Sequence, residues 1–403
     1  MNNHMNKDYK AQKERRKTRE VMVGNIGIGG DNPVRAQTMT NTDTLDIAAT
    51  VKQIIECAEA GAELVRVTAQ TKRHARAIGE IKKALDKQGY DIPVIADIHF
   101  LPEAAFEALK YADKVRLNPG NLFDSPNTEK ELSEEEYEKE LKRVEESLTP
   151  FIQELKKFKK PIRIGANHGS LSGRILSKYG DTPEGMVESA MEYLRIFKKN
   201  DFNDIVVAMK ASNPLVMIEA NRLLVREMDK ENMDYPVHLG VTESGSGEDG
   251  RAKSIIGIGT LLLEGIGDTV RVSLTESPAK EIPVCYSILQ ATRRRVTKTE
   301  FISCPSCGRT LFNIEKVADK IKKELGHLKG VTIAVMGCIV NGIGEMGDAD
   351  FGYVGGKPGM INLYYKKELI KRDVPEDEAI KELIKLIKDK GMWEEKLKIK
   401  NYE

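Results

Sequence analysis

The residues with the strongest claim to chemistry are three cysteines near the C-terminal end. Cys304 and Cys307 stand in Cys304-Pro305-Ser306-Cys307-Gly308, and Cys338 follows thirty-one residues after Cys307 in Gly337-Cys338-Ile339-Val340-Asn341-Gly342-Ile343-Gly344-Glu345. Two thiolates across a tight turn plus a distant third is metal-ligand spacing, because sulfurs so placed share one ion or two adjacent irons of a cluster. The other two cysteines, Cys57 and Cys285, fall inside apolar helical patterns, so no second Cys-x-x-Cys completes a four-thiolate zinc ribbon. Three sulfurs leave one position open to a carboxylate, solvent or a substrate. Glu345 lies seven residues beyond Cys338 in the same glycine-rich loop. On spacing alone, a redox dithiol or a structural zinc half-site stays open for Cys304 and Cys307, a small buried hydrophobe for Cys338 and a solvated acid for Glu345. The setting of Cys338 favours a metal: it follows the strand-like run 331–336 and heads a loop with Gly337, Gly342, Gly344 and Gly347, where backbone amides can approach sulfides.

A scaffold must position such groups, and the chain's periodicity supplies one. From residue 34 to about 292 one unit recurs: a short apolar run ending in a charged or amide residue, an amphipathic helix, then Gly, Asp or Pro before the next run. The runs are 34–39, 63–68, 93–97, 114–118, 161–167, 204–210, 236–243 and 269–273. Eight strand–helix units over roughly 250 residues predict an α/β fold built on a parallel eight-stranded (TIM) barrel. The expected division is a loose basic arm at 1–20, the barrel at 21–295 and a smaller α/β domain carrying the cysteines at 296–403. Within the barrel, 121–150 reads as an inserted or extended helical segment, with a Ser133-x-x-Glu136 capping box and a stripe of Tyr137, Leu141, Val144 and Leu148. The last domain is expected as a small sandwich with a helix at 313–325, a strand before Cys338, a run at 360–365 and a helix from Pro375 to near Gly391.

In a barrel of this kind the C-terminal strand ends carry the chemistry. Reading only those positions gives Gln37, Arg66, Asp97 with His99, Arg116 with Asn118, Arg163 with Asn167 and His168, Lys210, Glu243, and Arg271 with Ser273. Four arginines and a lysine at one mouth argue for an anionic ligand, since such residues are seldom tolerated in strands without a partner. Guanidinium forks match phosphate oxygens in pairs, and Asn and Ser complete the hydrogen bonding, so a diphosphate fits better than a carboxylate. The competing reading pairs each arginine with a neighbouring carboxylate for barrel stability. Glu243, alone at the mouth of a basic pocket, suits a proton donor or acceptor, with a salt bridge to an arginine as its plainer role.

Composition sets the outer limits. Lys plus Arg (63) balances Asp plus Glu (62), which leaves no global charge for nucleic acid or an anionic membrane surface. Five cysteines without a disulfide array fit a reducing compartment, and the longest apolar stretch, near 254–263, is short and broken by glycine. A soluble cytoplasmic protein is expected.

The motifs together resemble the family of bacterial 4-hydroxy-3-methylbut-2-enyl diphosphate synthases, iron–sulfur enzymes of the methylerythritol phosphate route to isoprenoids, in their two-domain form. The resemblance rests on Gln37-Thr38-Met39-Thr40, Ala96-Asp97-Ile98-His99-Phe100, Arg116-Leu117-Asn118-Pro119-Gly120-Asn121, Arg163-Ile164-Gly165-Ala166-Asn167-His168-Gly169-Ser170-Leu171, the stretch 238–245, Cys304-x-x-Cys307 and the stretch 338–345. Ile343 stands where the family usually has proline. The resemblance implies a 4Fe-4S cluster held by Cys304, Cys307, Cys338 and Glu345. It implies a cyclic diphosphate, 2-C-methyl-D-erythritol 2,4-cyclodiphosphate, held by Arg66, Arg116, Asn118, Arg163, Asn167, Lys210, Arg271 and Ser273, with Asn341 reaching in from the cluster domain. It further implies reductive ring opening with Glu243 as proton donor, electrons from a flavodoxin or ferredoxin, and a head-to-tail homodimer in which one cluster domain caps the other subunit's barrel. Two rivals compete with this reading. A cluster-free barrel enzyme of the dihydropteroate synthase kind would leave the cysteines idle, and a non-enzymatic cluster or zinc carrier would leave Glu243 and the arginines idle.

Overall fold

Strand and helix alternate as the periodicity predicts, and a computed structural model describes residues 11–124 and 132–395. The chain forms two compact units, Tyr9–Arg295 and a second beginning at Val296. In the first, a hairpin of β1 (Val21–Val23) and β2 (Ile26–Ile28) precedes the barrel strands β3 (Arg35–Met39), β4 (Leu64–Thr68), β5 (Val94–Asp97), β6 (Lys114–Leu117), β7 (Ile162–Asn167), β8 (Ile205–Lys210), β9 (His238–Leu239) and β10 (Thr269–Val270). Between and after these strands lie α1 (Ile47–Glu59), α2 (Lys72–Lys87), α3 (Pro102–Ala108), α4 (Glu134–Phe158), α5 (Gly173–Tyr179), α6 (Pro183–Lys199), α7 (Pro214–Lys230), α8 (Gly247–Leu263) and α9 (Glu281–Ala291).

The barrel strands pair in the order β8-β7-β6-β5-β4-β3-β10-β9, all in parallel, and a bridge between Val207 and Val237 joins the two ends. The eight-stranded parallel barrel read from the sequence is therefore present. Its helices start where local chemistry tells them to. Asp46 accepts from Ala49 N at 3.0 Å to open α1, and Thr182 accepts from Gly185 N at 3.1 Å, with Pro183 next, to open α6. Each such cap contributes about 1 kcal/mol. Alternate strand residues such as Ala36, Val65, Ala96, Val115, Ile164, Val207, Leu239 and Val270 enter one large apolar core with the helices. Their neighbours along each strand face the barrel axis, because side chains alternate with a period of two.

Two N-terminal features depart from the sequence reading. The recurring units were read only from Val34 onward, yet Val21, Val23 and Ile28 of the hairpin pack on Leu64, Ile95 and Val206 and form a separate apolar cluster in the barrel. The stretch 11–20, expected as part of a loose arm, is docked as a strap: Lys13 N donates to Leu263 O at 2.8 Å, Arg16 N to Gly265 O at 2.8 Å and Arg19 N to Asp234 O at 2.9 Å. Arg15 and Thr18 converge on buried Asp268, and Arg16 pairs with Asp229. Residues 1–10 of the expected arm lie outside the described residues.

Of the two readings of 121–150, inserted or extended, the described residues show the extended helix. Its Ser133 and Glu136 do form the capping box, but the helix they open, α4, runs to Phe158 through Pro150 and is itself the helix between β6 and β7, lengthened at its N-terminus. Buried Tyr137, Val144 and Leu148 continue into Phe151, Ile152 and Leu155 on one face, so a single apolar stripe carries the whole length. Residues 125–131 lie outside the described residues.

The second unit holds β11 (Glu300–Ser303), α10 (Ile314–Leu325), β12 (Thr332–Met336), α11 (Ile339–Glu345), β13 (Phe351–Lys357), β14 (Met360–Tyr365), β15 (Glu368–Pro375) and α12 (Glu376–Asp389). Its sheet has the order β11-β12-β13-β14-β15, parallel across the first three strands and antiparallel across the last three. Apolar faces of α10 and α12 bury Ile321, Leu325, Leu383 and Ile387 against Ile333, Val335, Phe351 and Leu363. On a second cluster Met346, just past α11, packs with Ala334, Met336 and Val354. The expected helices, the strand before Cys338 and the 360–365 run are found, whereas β11, β13 and β15 were not foreseen.

Candidate active site

The C-terminal ends of the barrel strands bring most of the expected basic groups together. Asp97 is the hub: Arg66 Nε lies 3.5 Å from its Oδ2 and Arg116 Nη1 3.2 Å from its Oδ1. Burial alone would raise the Asp97 carboxyl, but Arg66, Arg116 and His99 outweigh it and hold the group well below the usual carboxylate range. Arg116 Nη1 also meets His99 Nε2 at 3.0 Å and its Nη2 donates to Gly165 O at 3.1 Å. Arg271 is answered by buried Glu281, 3.5 Å away, which also accepts from Thr38 Oγ1 at 2.7 Å and Leu274 N at 3.1 Å. Arg163 and Lys210 have no ion-pair partner among the described residues, and burial together with neighbouring arginines pushes both groups well below their ordinary values.

The pairing of each arginine with a carboxylate therefore holds for Arg66, Arg116 and Arg271 and fails for Arg163 and Lys210. The glycines at this mouth have a purpose. A methyl on Gly165 would sit 3.1 Å from Arg116 Nε and 3.6 Å from Arg163 Nε, and one on Gly240 3.0 Å from Lys210 Nζ. Bare backbone lets three long cationic side chains cross it.

The amide and hydroxyl groups divide. Asn118 is already engaged: its Nδ2 donates to Ser170 Oγ at 2.6 Å and its Oδ1 accepts from Gly120 N at 3.1 Å, tying the loops after β6 and β7 together. Asn167 Oδ1 is buried without a partner among the described residues. Ser273 is half-buried, and its carbonyl accepts from Ser244 Oγ. That bond and Thr275 N to Gly245 O at 2.9 Å join the loops after β9 and β10, where Glu243 stands exposed with φ of 51°. A non-glycine residue in the left-handed region costs about 1 kcal/mol or more, and such strain collects at working sites.

Sequence reasoning missed several members. Glu281 was not among the expected site residues. Lys114 and His238 read as ordinary strand residues, although their side chains face the barrel axis beside Arg163 and Lys210. The signal available was polarity at strand positions that normally carry branched apolar residues.

In the second unit, β11 and β12 are parallel neighbours with Ser303 opposite Val335, so the loops carrying Cys304 and Cys338 leave the sheet side by side. A cavity of about 200 Å³ is lined by Cys304, Cys307, Cys338, Glu345, Arg309 and Met336 among others. One water takes about 30 Å³, so the space suits a multi-atom group. Gly337 N points at Cys304 Sγ at 3.3 Å, and Cys307 N donates to Thr310 Oγ1 at 3.0 Å. Backbone and Arg309 contacts push the exposed Cys307 thiol down, toward the thiolate that binds metals. Cys57 and Cys285, wholly buried, have thiols pushed up to about 12 by burial. The glycine-rich loop expected after Cys338 is instead the short helix α11, with Cys338 at its start and Glu345 at its end. Asn341 falls in α11, and its side chain lies outside the described part. No grouping of three His, Cys, Asp or Glu close enough for a single ion occurs among the described residues.

Comparison with known proteins now bears on both units. A family model described as the GcpE TIM-barrel domain matches residues 18–286, and one described as the GcpE protein C-terminal domain matches 300–389. The chain belongs to the GcpE family. Among its curated GcpE relatives is the 4-hydroxy-3-methylbut-2-en-1-yl diphosphate synthase (ferredoxin) of Synechococcus sp. (strain CC9311), 53% identical over 96% of this chain and 98% of that one. The proteins of the same name from Prochlorococcus marinus (strain SARG) and Trichormus variabilis are 54% and 55% identical, over 96% and 94% of this chain and the same shares of theirs. GcpE membership implies an iron–sulfur cluster in general terms and sets aside the two rival readings. No helix among the described residues is long and apolar enough to cross a membrane.

Proposed function

We infer that this chain catalyses the two-electron reductive ring opening and dehydration of 2-C-methyl-D-erythritol 2,4-cyclodiphosphate to 4-hydroxy-3-methylbut-2-enyl diphosphate. The observation that carries the reading is the co-occurrence, in one chain, of a barrel mouth whose Arg163 and Lys210 have no ion-pair partner among the described residues and a cavity lined by three cysteines and a glutamate. Arg66, Arg116, Arg163, Lys210 and Arg271, with Asn167 and Ser273, hold the diphosphate; Asn118 acts by fixing the two loops that frame it. Asn341 is proposed to reach the same ligand from the cluster domain.

The cavity fits a 4Fe-4S cluster in its donor set: three soft thiols, a rim carboxylate, and a backbone N–H directed at a sulfur. Cys304, Cys307, Cys338 and Glu345 would hold it. When bound, the cluster supplies electrons singly and an iron able to polarise the substrate. Glu243 delivers a proton to the departing hydroxyl, which leaves as water. The arginines offset charge on the diphosphate and fix its orientation against the reacting carbon. Ferredoxin is the proposed donor, as in the relatives' names, with flavodoxin as the other carrier of that class. We place the enzyme in the cytoplasm, working as a head-to-tail homodimer. Exposed Ile339 (46%), Val340 (63%) and Ile343 (38%) beside the cysteine cavity support the dimer, being an apolar face that a second copy would cover.

Anaerobically purified protein should contain about four irons and matching acid-labile sulfide per chain and turn over the cyclic diphosphate with reduced ferredoxin. Glu243→Gln should cut kcat by about 100-fold or more with little change in KM. Zinc in place of iron, or no turnover by reconstituted protein, would refute the reading.

A further inference from the structure

Beneath the mouth, the barrel is polar where such folds ordinarily stack branched apolar side chains. Gln37, Lys114, Arg163, His238 and Thr269 each occupy the axis-facing position one step below Met39, Arg116, Gly165, Gly240 and Arg271 on the same strands. All five are 2% exposed or less. Both amide atoms of Gln37, the Nζ of Lys114, Nε and Nη1 of Arg163 and Nε2 of His238 have no hydrogen-bond partner among the described residues. His238 Nδ1 meets Thr269 Oγ1 at 3.4 Å, which leaves Nε2 as its free end. Leu64, Ile95 and Val206 stand in register beside Gln37, Lys114 and Arg163 on the neighbouring strands and join this level to the apolar hairpin residues Val21, Val23 and Ile28.

The charges do not balance. Among the described residues, six basic side chains, Arg66, Lys114, Arg116, Arg163, Lys210 and Arg271, share the interior with two buried carboxylates, Asp97 and Glu281. Burial, reinforced by Arg163 and Arg66, holds the Lys114 ammonium well below its ordinary range, so the layer is ready to gain from an arriving anion. A cyclic diphosphate brings one negative charge per phosphoryl group. Ring opening raises that. The carbon–oxygen bond breaks with its electron pair left on the phosphoryl oxygen, so the diphosphate gains a third negative charge. Two electrons from the one-electron donor and one proton convert the departing hydroxyl to water and close the balance.

We propose that Lys114, with Arg163, Gln37 and His238 Nε2, forms an inner anion subsite that receives the phosphoryl oxygen set free by ring opening and favours the opened diphosphate over the cyclic one. This rests on the ring-opening reading above. Charge placed where it develops lowers the barrier more than it tightens substrate binding.

The test compares Lys114→Met and Lys114→Arg with the wild type in the full-length holoenzyme, using inorganic pyrophosphate as the probe for the opened form. Lys114→Met should weaken pyrophosphate binding about tenfold or more and lower kcat, while KM for the cyclic substrate moves less than about threefold. Its melting temperature should hold or rise, because an uncompensated buried cation has gone. Lys114→Arg should recover part of the pyrophosphate affinity. Equal weakening for both ligands, or no change in either, would overturn the subsite. Wild type that binds pyrophosphate through Lys114 yet never turns over the cyclic diphosphate would sink the ring-opening reading and leave the subsite standing.

Discussion

At the scale of single residues, Asp97 decides how the basic mouth survives without ligand. Its carboxylate stands between two buried guanidiniums, and removing it strands both. Asp97→Asn should cost about 3 kcal/mol near neutral pH, the usual range for breaking a buried pair. The pH dependence has a definite sign. The folded-state pKa is depressed, so the stabilisation is full above the unfolded value of about 3.9 and fades as acid carries the pH through the folded value. Denaturant melts from neutral pH into acid should show the gap between wild type and variant closing only below about pH 4. Much of this site was legible in the chain, because strand-end chemistry is local: Arg66, Asp97, Arg116, Lys210 and Arg271 could be read from near where each apolar run stopped, whereas Arg163, expected with them, is the second residue of β7 and lies a step below the mouth. Glu281 was not, because an acid in the first turn of a helix already has a sufficient explanation in the helix dipole. Only the folded loop reveals that it faces Arg271 and Thr38.

At the scale of elements, the cysteine cavity depends on how closely β13 passes the loop between β12 and α11. A methyl on Gly355 would lie 2.4 Å from Gly337 O, a backbone atom that cannot step aside. Gly337 also accepts from Leu311 N at 3.0 Å and donates to Cys304 Sγ, so it links both halves of the cysteine set. Gly355→Ala should therefore lower iron content after anaerobic reconstitution to below about half, while pyrophosphate binding by the barrel stays near wild type. The strand that makes this approach was hidden in the sequence. Phe351–Lys357 carries two adjacent glycines and β15 is rich in charge, and both compositions suppress a strand reading that tertiary pairing restores. The helix α4 was half legible for the opposite reason. Its capping box announced the start, but Pro150 argued for a stop that the continuous buried stripe overrides.

At the scale of the whole molecule, the barrel unit is fastened by its own beginning. Asp268, almost fully buried, receives Arg15, Thr18 and the Val237 backbone N–H. Arg15→Ala leaves that carboxylate short of its counter-charge and should cost about 2–3 kcal/mol. For a unit of this size that is a fall in melting temperature of roughly 5–10 °C by calorimetry. An unchanged transition would show the strap to be passive. No sequence pattern signals the strap, since basic residues near a terminus look the same whether solvated or docked, and its partners lie more than two hundred residues away.

That separation also orders events during synthesis. Strand β3 emerges early, but its second neighbour, β10, and the Asp268 that anchors Arg15 come some 230 to 250 residues later. Until then the nascent barrel exposes an unpaired edge with a free arm beside it, a hazard for edge-to-edge association. Contacts so distant along the chain make the final step slow. Arg16 and Arg19 can find Asp229 and Asp234 before β10 is made, but the Arg15 and Thr18 contacts to Asp268 form only as the ring closes, so this part of the strap works as a latch: it adds little to the speed of folding and a great deal to the time the finished barrel stays shut.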